Sequence, residues 1–299
     1  MRTSLALRAA LGMFSITALA IQAPDRAYRE AFENWKAELV DDLKQNWLPL
    51  VGLYWLKPGA NTFGSASDNS IVLASAPGHA GVFRLQGEAV WVELEPGAPG
   101  KIQGKSITRE ELQSDLSGDP TVIELGSLRL HVIQRGKRIG IRVKDVNSPE
   151  AHNYTGPIFF PLDMTYRVTA TFVPPDGKRT LDVPNVLGDV TPTPVSGDVR
   201  FHLEGHDLTL TASGGDPEHG LSFVFRDLTS GNETYPGGRF LRTDPVKDGK
   251  VLLDFNRAYS PPCAVTAYAT CPLAPKENRL QVRIPAGEKY QGKHAHSVL

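Results

Sequence analysis

From Trp47 onwards the chain is written in short segments that alternate apolar and polar residues, each closed by Gly, Pro, Asn or Asp. Alternation with period two puts every second side chain on one face, which is the pattern of a half-buried strand. Val82-Phe83-Arg84-Leu85 and Ala89 to Leu94 flank Gln86-Gly87-Glu88, and Thr121–Leu125 and Leu128–Ile133 flank Gly126-Ser127. Both spacings predict hairpins. Leu128 to Val143 reads as strand, turn at Arg135-Gly136-Lys137, strand; further strands are expected at Tyr166–Val173, Val199–Leu203, Leu208–Thr211, Leu221–Arg226 and Val251–Phe255. Many short strands at close spacing, with 28 Gly and 23 Pro to turn the chain, predict a mainly β protein built as a β-sandwich or barrel.

One helix is expected, over Pro24–Asn46, where Tyr28, Phe32, Trp35, Leu39 and Leu43 fall on one face. Before it, Arg2 and Arg8 give a positive start, Leu5–Ala20 is mostly apolar, and Ala18-Leu19-Ala20 fits a cleavage site, with Ala23 a second choice. This is the pattern of a signal peptide over residues 1–23, and it predicts an exported, periplasmic or extracellular protein. The apolar run is short for a membrane span, so no span is expected in the mature chain. The expected organisation is then a helix (24–46), a β-sandwich subdomain (47–145), a second β subdomain (146–289) and a loose tail (290–299). Formal net charge is −1, and −3 without Arg2 and Arg8, which gives no reason to expect nucleic acid or an anionic membrane as partner.

The stretch Ser230–Lys289 carries most of the chemistry-bearing residues. It holds both cysteines, Cys263 and Cys271, within Asp254-Phe255-Asn256-Arg257-Ala258-Tyr259-Ser260-Pro261-Pro262-Cys263 and Thr270-Cys271-Pro272. Prolines on both sides stiffen the backbone, and a stiff polar loop suits a site. The segments Asp254-Phe255-Asn256, Ala258-Tyr259, Pro261-Pro262-Cys263-Ala264, Cys271-Pro272-Leu273, Asn278-Arg279-Leu280 and Ala286-Gly287-Glu288-Lys289 resemble an uncharacterised bacterial family, domain of unknown function 1684. Arg138 to Asp145, Ser148-Pro149, Phe225 to Thr229 and Gly238-Arg239 extend the resemblance upstream. The family implies no particular activity. The first half is weakly similar in element order to a forkhead-associated sandwich, but Ser65 follows Gly64 and the next loop reads Ala76-Pro77-Gly78-His79, so the phosphate ligands of that family are missing.

Neither a G-x-S-x-G elbow, a Walker loop, a dinucleotide fingerprint nor an H-E-x-x-H helix occurs, so no cofactor or metal is expected. His202 and His206 lie four apart but across the turn Glu204-Gly205, and His294 and His296 sit in the tail. Three readings of the cysteines stand: a disulfide worth ~2–3 kcal/mol, reduced structural thiols, or a Cys263 nucleophile. Arg138 and Arg142 share a strand face, Asp145 closes that strand, and Arg167 and Arg239 lie near other β segments. Guanidinium forks grip carboxylate or phosphate, or they seal a sheet by pairing with Asp or Glu. Two functions follow. In the first, Arg138, Arg142, Asp145, Arg167 and Arg239 form one anion-binding pocket for a small-molecule ligand. Asp254, Asn256, Tyr259 and Cys263 are then the candidate catalytic groups, for instance in a hydrolysis. In the second, the same cluster is an internal staple of a non-catalytic binding or envelope-interaction module.

Overall fold

A computed structural model describes residues 23–292. Residues 1–22 of the expected signal peptide, and His294 and His296, lie outside the described residues. The protein is mainly β with one long N-terminal helix, as the alternation predicts. The helix runs Arg26–Asp42; Asp25 caps it by accepting the Tyr28 N–H at 2.7 Å, and a π turn, Leu43–Trp47, continues it. Among the described residues no helix is long and apolar enough to cross a membrane.

The first β unit packs two sheets face to face. One has six strands, in the order Leu50–Trp55, Arg138–Asp145, Leu128–Arg135, Ile123–Leu125, Gly100–Ile102, Lys105–Ser106. The other has five, in the order Ile71–Val72, Gly59–Gly64, Gly81–Gln86, Ala89–Leu94, Arg109–Leu112. Their inner faces share a core that includes Phe63, Phe83, Leu130, Ile141 and Val143, with the two Phe rings stacked at 4.4 Å. The turns at Gly87, Gly126 and Gly136 fall where the sequence places them. This sandwich supplies no counterpart of the forkhead-associated phosphate ligands, and that finer likeness adds nothing to its description.

The second β unit has its own core around Phe201, Leu210, Phe223, Phe225, Leu253 and Phe255. A four-stranded sheet (His206–Ala212, Gly197–Leu203, Arg167–Val173, Lys250–Asp254) lies against a three-stranded one (Gly214–Asp216, Gly220–Phe225, Arg239–Arg242). After Asp254 the chain leaves regular strands and runs through three 3-10 turns to the short strand Glu288–Lys289, which pairs with Ile158–Phe159. Proline lacks the N–H that a ladder needs, so buried side chains satisfy this backbone instead. Arg239 does this for the Ile284 and Ala286 carbonyls, while Asn278 ties the segment to the strands: its Oδ1 accepts the Thr211 N–H at 2.8 Å, and its Nδ2 donates to Thr211 and Val224 carbonyls at 2.9 and 3.0 Å.

Two sets of contacts join the parts. The outer face of the strand pair Leu128–Arg135 and Arg138–Asp145 meets the second unit: Arg135 Nε donates to Thr270 Oγ1 at 2.9 Å, and Arg138 pairs with Asp189 at 2.6 Å. The N-terminal helix lies on the second unit through aromatic contacts, Phe32 to Phe159 at 5.3 Å and Trp35 to Tyr259 at 6.2 Å between centroids. Phe32 is 3% exposed. Truncating a buried Phe removes its transfer energy and leaves a cavity, so Phe32→Ala is expected to lower stability by about 3–5 kcal/mol in chemical denaturation. A shift in unfolding midpoint within the scatter of surface variants would mean the helix is not held by this ring.

Candidate functional site

The residues expected to form one pocket are placed in four. Arg138 is half-exposed and engaged with Asp189. Arg142 is buried, 5.8 Å over the Trp47 ring, with Nη2 3.5 Å from Thr270 Oγ1. Burial, then repulsion from Arg135, pulls its pKa down to about 10. Asp145 closes a turn by accepting the Asn147 N–H at 3.0 Å. Arg239 is enclosed at 0% exposure and donates to Asp227, to the Ile284 carbonyl and to the Ala286 carbonyl. It is a staple, and it does not approach the Asp254 side chain. The single arginine pocket is therefore corrected: same-face alternation holds for Arg138 and Arg142, but the face they share is the junction between the two β units.

Of the three cysteine readings, the disulfide and the nucleophile are corrected, and buried reduced thiols agree with the structure. Cys263 and Cys271 are adjacent and both free; the Cys263 N–H donates to Cys271 Sγ at 3.2 Å. No disulfide is formed. Cys263 is fully enclosed, so no substrate reaches it as a nucleophile. Burial pushes the Cys271 thiol well up; at Cys263 burial acts the same way but is outweighed by hydrogen bonds from Cys271 and Tyr235, which draw it down.

Asp254, Tyr259 and Arg167 do come together. They line a cleft of about 490 Å³ beneath the N-terminal helix, with Arg242 and Arg257 and with Trp35 from the helix. The strand Lys250–Asp254 ends at the cleft, and the turn Phe255–Arg257 carries the chain on around it. Both Asp254 oxygens lie within hydrogen-bond distance of the Tyr28 hydroxyl, at 2.9 and 3.0 Å, and Oδ1 also takes Asn256 Nδ2 at 3.3 Å. Asn256 in turn is paired with the Asp163 backbone, accepting its N–H at 3.0 Å and donating to its carbonyl at 2.9 Å. Arg167 and Arg257 stand 3.7 and 3.8 Å from Asp254 Oδ2. Burial raises the Tyr28 pKa, and the Asp254 charge raises it further, so the phenol stays a donor. Burial likewise raises Tyr259, against the pull of Arg242. Through the Tyr28 hydroxyl, Asp254 thus anchors the helix. The sequence does not single out Tyr28 or Arg242; only the packing of the helix on this strand end brings them here.

A buried acid also escaped the sequence reading. Glu288 is 6% exposed, and its Oε2 accepts the Ser260 N–H at 2.8 Å. The Ser260 hydroxyl stands by without meeting hydrogen-bond geometry. Gly287 enters Glu288 with φ +83°, and a Cβ on it would lie 2.5 Å from the Ala258 carbonyl oxygen, so only glycine delivers the acid to this spot. The position after Ala286-Gly287 in an apolar context was the available signal.

Residues 152–289 match the family described as Protein of unknown function (DUF1684), which supports the resemblance over this segment. An uncharacterized protein of Haloarcula marismortui, solved by solution NMR, is 33% identical, covers 48% of this chain and 82% of its own length, and superposes with a TM-score of 0.40. Comparison with curated proteins gives no match.

Burial, only partly offset by the Ser260 N–H and the Arg239 charge, raises the Glu288 pKa to about 7. A carboxyl with a raised folded pKa keeps its proton while the unfolded chain loses it. Its contribution is therefore fully present below about 4.5 and lost as pH rises through 7. Relative to Glu288→Gln, the native protein is expected to lose roughly 3 kcal/mol between pH 4.5 and 7. Urea denaturation of both proteins across that range measures it, and parallel pH profiles would contradict the assignment.

Proposed function

We propose that this protein is an exported binding protein, whose cleft beneath the N-terminal helix takes a small molecule through an anionic group. Arg242 carries the reading. It lines the cleft, it is exposed, and it makes no ion pair among the described residues, whereas Arg167 and Arg257 are held by Asp254. A guanidinium left uncommitted beside two aromatic walls, Trp35 and Tyr259, suits a carboxylate or phosphate on a small organic ligand. Glu38 and Asp244 also line the cleft without ion pairs, so a ligand with a second, cationic end fits better than a plain anion. The engagement of Asp254 with Tyr28, Asn256, Arg167 and Arg257 favours binding over hydrolysis at this place, because a general base works best without competing partners. Export rests on Arg2, Arg8 and the apolar run ending Ala18-Leu19-Ala20.

The test is a calorimetric panel of small carboxylates, phosphomonoesters and amino-acid zwitterions. A charge-assisted hydrogen bond is worth about 1.5–3 kcal/mol, so Arg242→Met is expected to weaken the best ligand about tenfold or more. Its unfolding midpoint should move no more than a surface variant does. Equal affinity in the variant, or no saturable ligand in the panel, would sink the reading. Intact mass of the envelope-fraction protein tests export separately: the mature chain is expected to begin at Ile21 or Pro24.

A further inference from the structure

A second pocket, about 250 Å³, lies where the short helix Pro149–Asn153, the turn Pro262–Ala264 and the strand Glu288–Lys289 meet. Leu48, Pro157 and Val265 give it apolar walls, and Tyr154 and Tyr290 add aromatic rings. Glu288 is its buried polar group. One oxygen is held by the Ser260 N–H; the other accepts no hydrogen bond among the described residues, and the residue lines the pocket.

The contrast with Asp227 is informative. That carboxylate, built as a staple, receives hydrogen bonds from the Thr229 N–H and hydroxyl, the Ser230 hydroxyl, Arg239 and the Ile284 N–H. Glu288 receives one, and it has no ion pair among the described residues. Arg239, the nearest cation acting on it, is committed to Asp227 and two carbonyls. Lys289, next along the chain, places its ammonium 4.6 Å over the Phe160 ring. Glu150 adds a second negative charge to the lining.

We infer that this pocket binds a small ammonium ligand, a primary or methylated amine, with Glu288 as its counter-ion and the tyrosine rings against its alkyl or cationic face. A buried carboxylate with an open lone pair repels anions and lacks the further oxygen ligands a divalent cation needs. Apolar walls and aromatic rings around a single carboxylate match an organic cation.

Protonation gives the inference a second handle. The groups acting on Glu288 are Arg239, Tyr154, Tyr259 and Ser260, and the pocket adds Glu150, Lys289 and Tyr290. Only the ionised carboxyl pairs with an ammonium, and burial holds its pKa near 7. Affinity is therefore expected to rise with pH, by about tenfold between pH 6 and pH 8, and then to level off.

The experiment is isothermal titration of the full chain with n-propylammonium and tetramethylammonium, and with n-propanol as the neutral isostere. Saturable binding of an ammonium at pH 8, weaker at pH 6, and none of propanol is the expected result. Glu288→Gln, which still accepts the Ser260 N–H, is expected to lose at least about tenfold in affinity and all of the pH dependence. Val265→Trp, which fills the pocket from its wall without touching the acid, should also abolish binding, and it decides the matter if the first variant fails to fold. Asp244→Asn, altering the other cleft, should bind as the native protein does. Propanol binding equally well, no ammonium binding at pH 8, binding retained in Val265→Trp, or binding lost in Asp244→Asn would each overturn the inference.

Discussion

The enclosed ion pair between Arg239 and Asp227 is what the C-terminal third of the molecule depends on. Both side chains are wholly buried, 3.2 Å apart. Such a pair is costly unless every donor and acceptor around it is used. Here two further donations from Arg239 go to the carbonyls of Ile284 and Ala286, Asp227 takes the Ile284 N–H at 2.7 Å, and the buried Arg239 Nε alone is left without a hydrogen bond. The pair thereby supplies the hydrogen bonds that a proline-interrupted segment cannot obtain from a β ladder. Gly238 makes the approach feasible: at φ +106°, a Cβ there would meet the Phe225 carbonyl oxygen at 2.7 Å. Once residues 279–287 are fixed this way, the position of Glu288 follows.

Two pockets of opposite character hang from neighbouring residues of one loop. Tyr259 lines the cleft that carries Arg242, while the Ser260 N–H holds the carboxylate of the smaller pocket. Consecutive residues in an extended stretch point to opposite sides. The stiffness given by Pro261 and Pro262 keeps that division sharp, so the two sites are chemically distinct although one residue apart in sequence.

Much of the fold was legible because strand alternation and glycine turns are local signals. The hairpins at Gly87, Gly126 and Gly136 needed nothing from the rest of the chain. The site was less legible. Alternation correctly placed Arg138 and Arg142 on one face but could not say what covers that face, which proves to be Asp189 at one end and Thr270 with Trp47 at the other. Asp254 and Tyr259 stood out within a polar loop, yet the hydroxyl that bonds Asp254 comes from the distant helix. Cys263 and Cys271 had a spacing compatible with a bridge, and the chain instead seats one backbone N–H on the other sulfur. Glu288 stood within the family-like segment Ala286-Gly287-Glu288-Lys289, but its burial is a tertiary consequence of the Gly287 turn.

The hydrogen bond from Tyr28 to Asp254 joins residues 226 positions apart. Contacts of such span form late, since the loop they close costs entropy that only a nearly complete native surface repays. The N-terminal helix, first to be synthesised, thus has no docking surface until the last strand of the second unit is in place. During biogenesis its apolar face, Phe32 and Trp35 included, waits uncovered, available to a chaperone or to another chain. The cleft it roofs is accordingly the last part of the molecule to exist, and a ligand bound there would report completion of the whole fold.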